Sequence, residues 1–220
     1  LPICTPFFSH LPRWRMTEGL KVFLTPGAQA AVNGHSSYDD LQSQLPGEYT
    51  GWDGFSRAQY LEASYLMPGY ILSSQGDRVA MAHAVEGRFP FLDCRLVEFA
   101  SRLTPTLKMK ELDEKHLLKR CAKGLVPDLV VKRHKQPYRA PESRSFFPQG
   151  RPLEYISELL SPSQLERDGI FRPDAVQRLL DKACHGTVAS LRENMALTAI
   201  ISTQVLIHQF ITHFQGGETV

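Results

Sequence analysis

The chain is poor in cysteine, and none stands in a metal-binding or redox spacing. The four lie at positions 4, 94, 121 and 184, with no C-x-x-C and no paired histidines at zinc-finger distances. Cys184 and His185 are neighbours, but two adjacent residues do not make a metal site, so none is expected. Free thiols in a reducing, cytoplasmic setting are the reading. Long hydrophobic runs are also missing. The most apolar region, Val188 to Phe214, is broken by Arg192, Glu193, Asn194, Gln204, His208 and Gln209, and no stretch reaches the roughly 18 uninterrupted apolar residues of a membrane span. The opening LPICTPFFSHLPRWR carries early prolines and no sustained apolar core, which speaks against a secretory signal. It starts at Leu1 rather than methionine, so a piece of a longer chain is expected. There is no G-x-x-x-x-G-K-[ST], no strand-borne G-x-G-x-x-G, no H-E-x-x-H and no G-x-S-x-G, hence no self-contained nucleotide, metal or nucleophile motif. Strand signals are scarce, and repeats and low-complexity tracts are absent.

What remains is 220 residues of ordinary globular composition, 42% hydrophobic and 22% charged, with a net charge of +2 that singles out no partner class. Residues 1–55 are crowded with proline and glycine and read as an irregular, loop-rich segment with short helical turns around 15–24 and 27–33. Residues 56–220 read as mainly helical. Ser56 is a plausible cap for a helix that Pro68 ends, and a short helix fits 75–85. Asp93 caps a helix whose Leu96, Phe99, Ala100 and Leu103 follow the i, i+3, i+4, i+7 pattern. Asp113 is placed as the cap of a helix over 114–122 that Gly124 stops, with one further turn at 127–131. Prolines at 137, 141, 148 and 152 argue for an extended loop over 136–152. Helices follow at 153–160, 163–168 and 173–183, and a long apolar one over 190–214 is expected in the core.

Two features carry chemistry. The run DRVAMAHAVEGRFPFLD (77–93) embeds Asp77, Arg78, His83, Glu86, Arg88 and Asp93 among apolar residues. Charges in such a setting are costly unless paired, so buried or half-buried ion pairs such as Asp77–Arg78 and Glu86–Arg88 are expected. The second is basic: between Asp113 and Arg151 ten Lys or Arg face four Asp or Glu. Lys115, Lys119 and Lys123 recur every four residues, and Lys132, Arg133 and Lys135 bunch before the proline-rich loop. This is either a solvated face or a site for a polyanion such as a triphosphate, pyrophosphate or nucleic-acid backbone. Few aromatics (Tyr138, Phe146, Phe147) interleave with the charges, so a stacking platform for single strands is poorly supported.

Four ordered blocks resemble the glutamine-hydrolysing asparagine synthetases: YLMPGYILSSQGDRVAMAHAVEGRFPFLDCRLVEFASRL, EKHLLKR at 114–120, LVPDLVVKRHKQPYRAP at 125–141 and RENMALTAIISTQVLIHQF at 192–210. The resemblance covers most of the chain from about residue 56; FFSHLPRW fits the family's bacterial branch. It implies an all-α, C-terminal helical portion of a synthetase domain whose parallel α/β sheet lies upstream. In such enzymes a glutaminase domain supplies ammonia, and ATP with Mg²⁺ activates a carboxylate as an acyl-adenylate that ammonia converts to an amide, with AMP and pyrophosphate released. The pyrophosphate loop S-G-G-x-D-S and the glutaminase are not in this sequence, so no activity is expected of the chain by itself. Its implied partners are those regions of the same polypeptide, with a homodimer as a further option and no membrane or nucleic acid. Carried over residue by residue, Lys135 of RHKQ falls on the lysine that contacts the phosphates. Glu86 and Arg88, with Asp77 and Arg78, fall on the turn that orients substrate, where a structural role is equally open. Lys115 and His116 match E-K-H, either in helix packing or as a contact behind the site. Just before Asp77 the chain has Leu72-Ser73-Ser74-Gln75, without the charges expected for reading aspartate, which leaves the acceptor open. A non-catalytic basic helical module for nucleic acid or a partner subunit is the alternative.

Overall fold

The computed structural model describes residues 5–136, 143–188 and 190–214. They are mainly helical; among them the only sheet is a two-stranded hairpin. The chain forms two compact units, each assembled from both sides of residue 55: residues 1–9 with 44–136, and residues 10–43 with 137–220.

The second unit has a closed core. Helices Glu154–Leu159, Pro162–Asp168, Pro173–Cys184 and Leu191–Ile207 supply Ile156, Leu165, Val176, Leu179, Leu197 and Ile200, which pack with Phe147 and Phe171 in one buried cluster. Local chemistry sets the helix ends. Proline opens two of these helices where its missing N–H costs nothing. The Ser161 hydroxyl accepts from Gln164 N–H at 3.4 Å, and Gly169, at φ +69°, closes that helix in the left-handed conformation. Ser190 accepts from Glu193 N–H at 3.1 Å while its hydroxyl meets the Glu193 carboxylate at 3.1 Å. The N-terminal stretch of this unit forms helices Leu11–Glu18 and Pro26–Ala31, near the expected helical turns, and a further one, Ser37–Ser43, where loop was expected. It is tied to the core by Arg172 N–H donating to Phe23 C=O at 2.8 Å and Thr25 N–H to Ile170 C=O at 2.9 Å. The long apolar helix is buried on one side through Ala196, Leu197, Ile200, Ile201, Gln204 and Ile207. Leu206, Phe210, Ile211 and Phe214 remain exposed. By length and composition alone Leu191–Thr212 would span a membrane, but its packed face belongs to this core. The expected 136–152 loop contains a helix, Ser143–Phe146, and a turn, Pro148–Gly150; residues 137–142 fall outside the described residues.

The first unit is built differently. Its buried apolar side chains among the described residues are Phe7, Tyr49 and Leu61. Tyr49 donates its hydroxyl to Pro6 C=O at 2.7 Å, and Tyr49, Trp52, Tyr60 and Tyr65 stack edgewise at 5.4–6.3 Å. The expected cap at Ser56 is corrected: Asp53 caps Gly54–Leu61, accepting from Phe55 and Ser56 N–H at 2.9 and 3.0 Å. Pro68 does not end the helix. The chain widens into a π-helix, Glu62–Asp77, then returns to α-helix at Arg78–Ala82. The wider turn gives room to the ring that would collide with the carbonyl four residues back in α geometry. Helix Cys94–Ser101 starts at Asp93 as expected, with the carboxylate accepting from Arg95 N–H at 2.9 Å. Its apolar stripe stays open, however: Phe99 is 58% exposed. Met81, Phe91, Leu125 and Leu129 are likewise exposed.

Candidate functional site

Strand β1 (Met109–Lys110) pairs antiparallel with β2 (Asp113–Glu114), joined by Glu111 and Leu112, with Glu111 at positive φ as a two-residue turn requires. β2 runs into helix His116–Ala122 through Lys115, which sits in the left-handed region at φ 57°, ψ 34°. After Gly124 the chain turns into helix Asp128–Lys132, and then extends through Arg133 to Gln136. These segments enclose an open cleft of about 820 Å³ in the first unit. Leu118, Ala122, Val126, Val130 and Val131 form its apolar floor. Lys110, Lys115, Lys119, Arg133, His134 and Lys135 bring positive charge to its wall, with Glu111, Asp113 and Glu114 opposing.

The carboxylate of Asp113 accepts from His116 Nδ1 at 2.9 Å and forms an ion pair with Lys119 Nζ. Hydrogen bonds from Lys119 first, then from His116, hold this carboxyl below the usual carboxylate range. Asp113 is therefore not the cap expected at this helix. Its side chain grips residues three and six positions ahead, and the N-cap position falls to left-handed Lys115, where no side chain caps the helix. Lys110, Lys115, Arg133 and Lys135 form no ion pair among the described residues. Four wall cations are thus available to a bound anion, while Lys119 is engaged.

The structure brings Lys135 and Lys115 together on this cleft, with His116 behind Lys115 on the Asp113 carboxylate. It does not bring Asp77, Arg78, Glu86 or Arg88 there. Asp77 and Arg78 sit at the junction of the π- and α-helical segments, both exposed. Glu86 and Arg88 pair at 3.4 Å but are 81% and 87% exposed. Asp77 and Arg78 form no ion pair with one another, so the expectation of buried pairs in this run is corrected: the surrounding apolar residues, Met81, Val85, Phe89 and Phe91, are themselves exposed and desolvate nothing. Lys123 lies beyond the helix end, so the lysine stripe splits into one free cleft residue, one held by Asp113 and one outside. Sequence reasoning missed Lys110 and the bracing role of Asp113, while Arg133 was already in the basic cluster before the proline-rich loop. The D-x-x-H spacing of Asp113 and His116 was the available signal. Among the described residues, no three His, Cys, Asp or Glu converge into a metal-binding group.

A profile of the asparagine synthase family matches residues 9–208. The chain is 36% identical over 157 residues to "Amidase chry2" of Gibberella zeae, covering 69% of this chain and 22% of that protein. It is 34% identical over 138 residues to "Amidase chyE" of Penicillium rubens, covering 60% and 20%. It is 30% identical over 152 residues to "Asparagine synthetase [glutamine-hydrolyzing] 1" of Bacillus subtilis, covering 69% and 23%. The aligned part thus spans about a fifth to a quarter of these relatives. No solved structure gives a significant match.

Proposed function

The chain belongs to the asparagine synthase family, and on that premise we propose that it forms the helical side of the synthetase site in an ATP-using, amide-forming ligase. The observation that carries this reading is the cleft at residues 110–136, lined by Lys110, Lys115, Arg133 and Lys135, which form no ion pair among the described residues. Activating a carboxylate with ATP builds negative charge between the α-phosphate and the departing pyrophosphate, and preorganised cations beside a low-polarity floor stabilise it. Lys135 is assigned the direct phosphate contact. Lys115 supports it from the turn before helix His116–Ala122, also on the cleft lining. Mg²⁺ would accompany the phosphates, as it does where a protein supplies few carboxylates of its own.

The finer features belong to the same proposal. Ammonia derived from glutamine attacks the activated carboxylate, with aspartate as the reference acceptor. Glu86 and Arg88 orient that substrate, with Asp77 and Arg78 beside the same turn. The exposed apolar residues of the first unit, Met81, Phe91, Leu125 and Leu129 among them, then have a cover: the pyrophosphate-loop and glutaminase regions of the same polypeptide. Without that cover the chain by itself has no synthetase activity, and a homodimer would bury the same face. Free thiols at Cys94, Cys121 and Cys184 suit a cytoplasmic location.

The test is a titration of the chain with inorganic pyrophosphate, followed by amide chemical shifts. Binding should map to residues 110–136 and weaken steeply with salt. Lys135→Ala should weaken it about tenfold, the scale of one charge-assisted contact. No binding, or an affinity unchanged in Lys135→Ala, would remove the phosphate role. A salt-sensitive shift with a mixed oligonucleotide that exceeds the pyrophosphate response would favour the nucleic-acid module instead.

A further inference from the structure

We infer that Asp113 is the positioning residue of this cleft, withholding Lys119 from a bound anion and fixing the backbone turn that presents Lys115 to it. The inference rests on the reading of the cleft as a phosphate site. Three observations meet at this residue. Asp113 lies on β2, in register with Lys110, and lines the cleft itself. Its carboxylate holds His116 Nδ1 at 2.9 Å and pairs with Lys119, so it fastens the hairpin to the helix that follows. Between the two fastened points stands Lys115, a non-glycine residue in the left-handed region, which persists only where surrounding contacts fix it.

The lysines of the cleft are therefore not equivalent. Lys119 has its charge matched by a partner that a phosphate would have to displace, whereas Lys115 has none among the described residues. Since a carboxylate only accepts, the His116 proton must reside on Nδ1, leaving Nε2 away from Asp113. Positioning and simple charge make opposite predictions. Asp113→Asn deletes a negative charge from a cationic wall and releases Lys119, so on charge alone it tightens anion binding. If Asp113 holds the turn, the same change lets Lys115 leave its left-handed conformation, and binding weakens.

The experiment compares pyrophosphate affinity of the unmodified chain, Asp113→Asn and Lys119→Met, with long-range ¹H–¹⁵N imidazole spectra recorded on each. Positioning predicts affinity about fivefold weaker in Asp113→Asn, the scale of losing part of one charged contact, with the Nδ1–H signature of His116 shifted as its acceptor loses its charge. Lys119→Met should change affinity less than about twofold and keep that signature, because the His116 contact survives. Affinity unchanged or tighter in Asp113→Asn overturns the positioning role, as does a large loss in Lys119→Met with the His116 signature intact. Absence of pyrophosphate binding by the unmodified chain overturns the cleft reading itself, and the positioning role with it.

Discussion

Phe91 and Leu129 are 66% and 83% exposed, so glutamate at both positions gives the chain almost nothing to lose. Substitutions at sites this open fall within about 0.5 kcal/mol each, and no buried contact or ion pair is broken. In the complete polypeptide, where the account places a second surface over this face, the sign reverses. Fully burying a Leu or Phe side chain contributes about 1.5–3 kcal/mol, so the two residues together supply up to roughly 3–6 kcal/mol to that contact. Glutamates under the same cover would add the desolvation of two charges to that loss. The assay runs Phe91→Glu/Leu129→Glu in two settings: urea unfolding with sedimentation of the chain, and amide-forming turnover of the complete polypeptide. The chain should keep its unfolding midpoint and self-associate less, while turnover collapses. A midpoint lowered by more than about 2 kcal/mol equivalent in the chain would show these side chains already buried within it. Full turnover in the complete polypeptide would show the face has no cover there.

Two further outcomes follow from the second unit. Gly150 lies at φ +75°, and a Cβ there would stand well inside van der Waals contact distance of the Cys184 carbonyl oxygen, so Gly150→Ala should destabilise by about 2–3 kcal/mol in urea unfolding; an unchanged midpoint would refute that packing. Hydrogen bonds from Lys182 first, then Ser190, hold the Glu193 carboxyl below its ordinary value. A lowered folded-state pKa contributes stability that is fully present above the unfolded value and fades as pH falls through the folded one. Glu193→Gln should therefore cost at most about 1 kcal/mol at neutral pH and flatten the acid limb of the stability curve; identical acid limbs would oppose it.

The elements most legible in the sequence are those fixed by local chemistry. Pro173 at a first-turn position and the Asp93 cap each mark a helix that the structure contains. Local rules failed where geometry decided. A proline normally stops a helix, but Pro68 is absorbed by a π-helical stretch whose widened turn no residue pattern announces. Asp113 reads as a cap from its place before an apolar run, yet the helix begins after left-handed Lys115 and Asp113 instead holds His116 and Lys119. The stripe Lys115, Lys119, Lys123 has perfect helical spacing, but periodicity is blind to which lysine has a partner. Run 77–93 was expected to bury its charges because burial was assumed from its apolar neighbours. Those neighbours are exposed, and only a surface beyond this chain would make the expectation hold.

The central claim, that this helical unit contributes phosphate-binding cations to an amide-forming ligase, is tested most directly by Lys135→Ala in the complete polypeptide. ATP-dependent amide formation and glutamine hydrolysis are measured side by side. The account predicts loss of amide formation by at least about a hundredfold, the scale of removing one transition-state charge contact, with glutamine hydrolysis retained. Amide formation at the unmodified rate would contradict it.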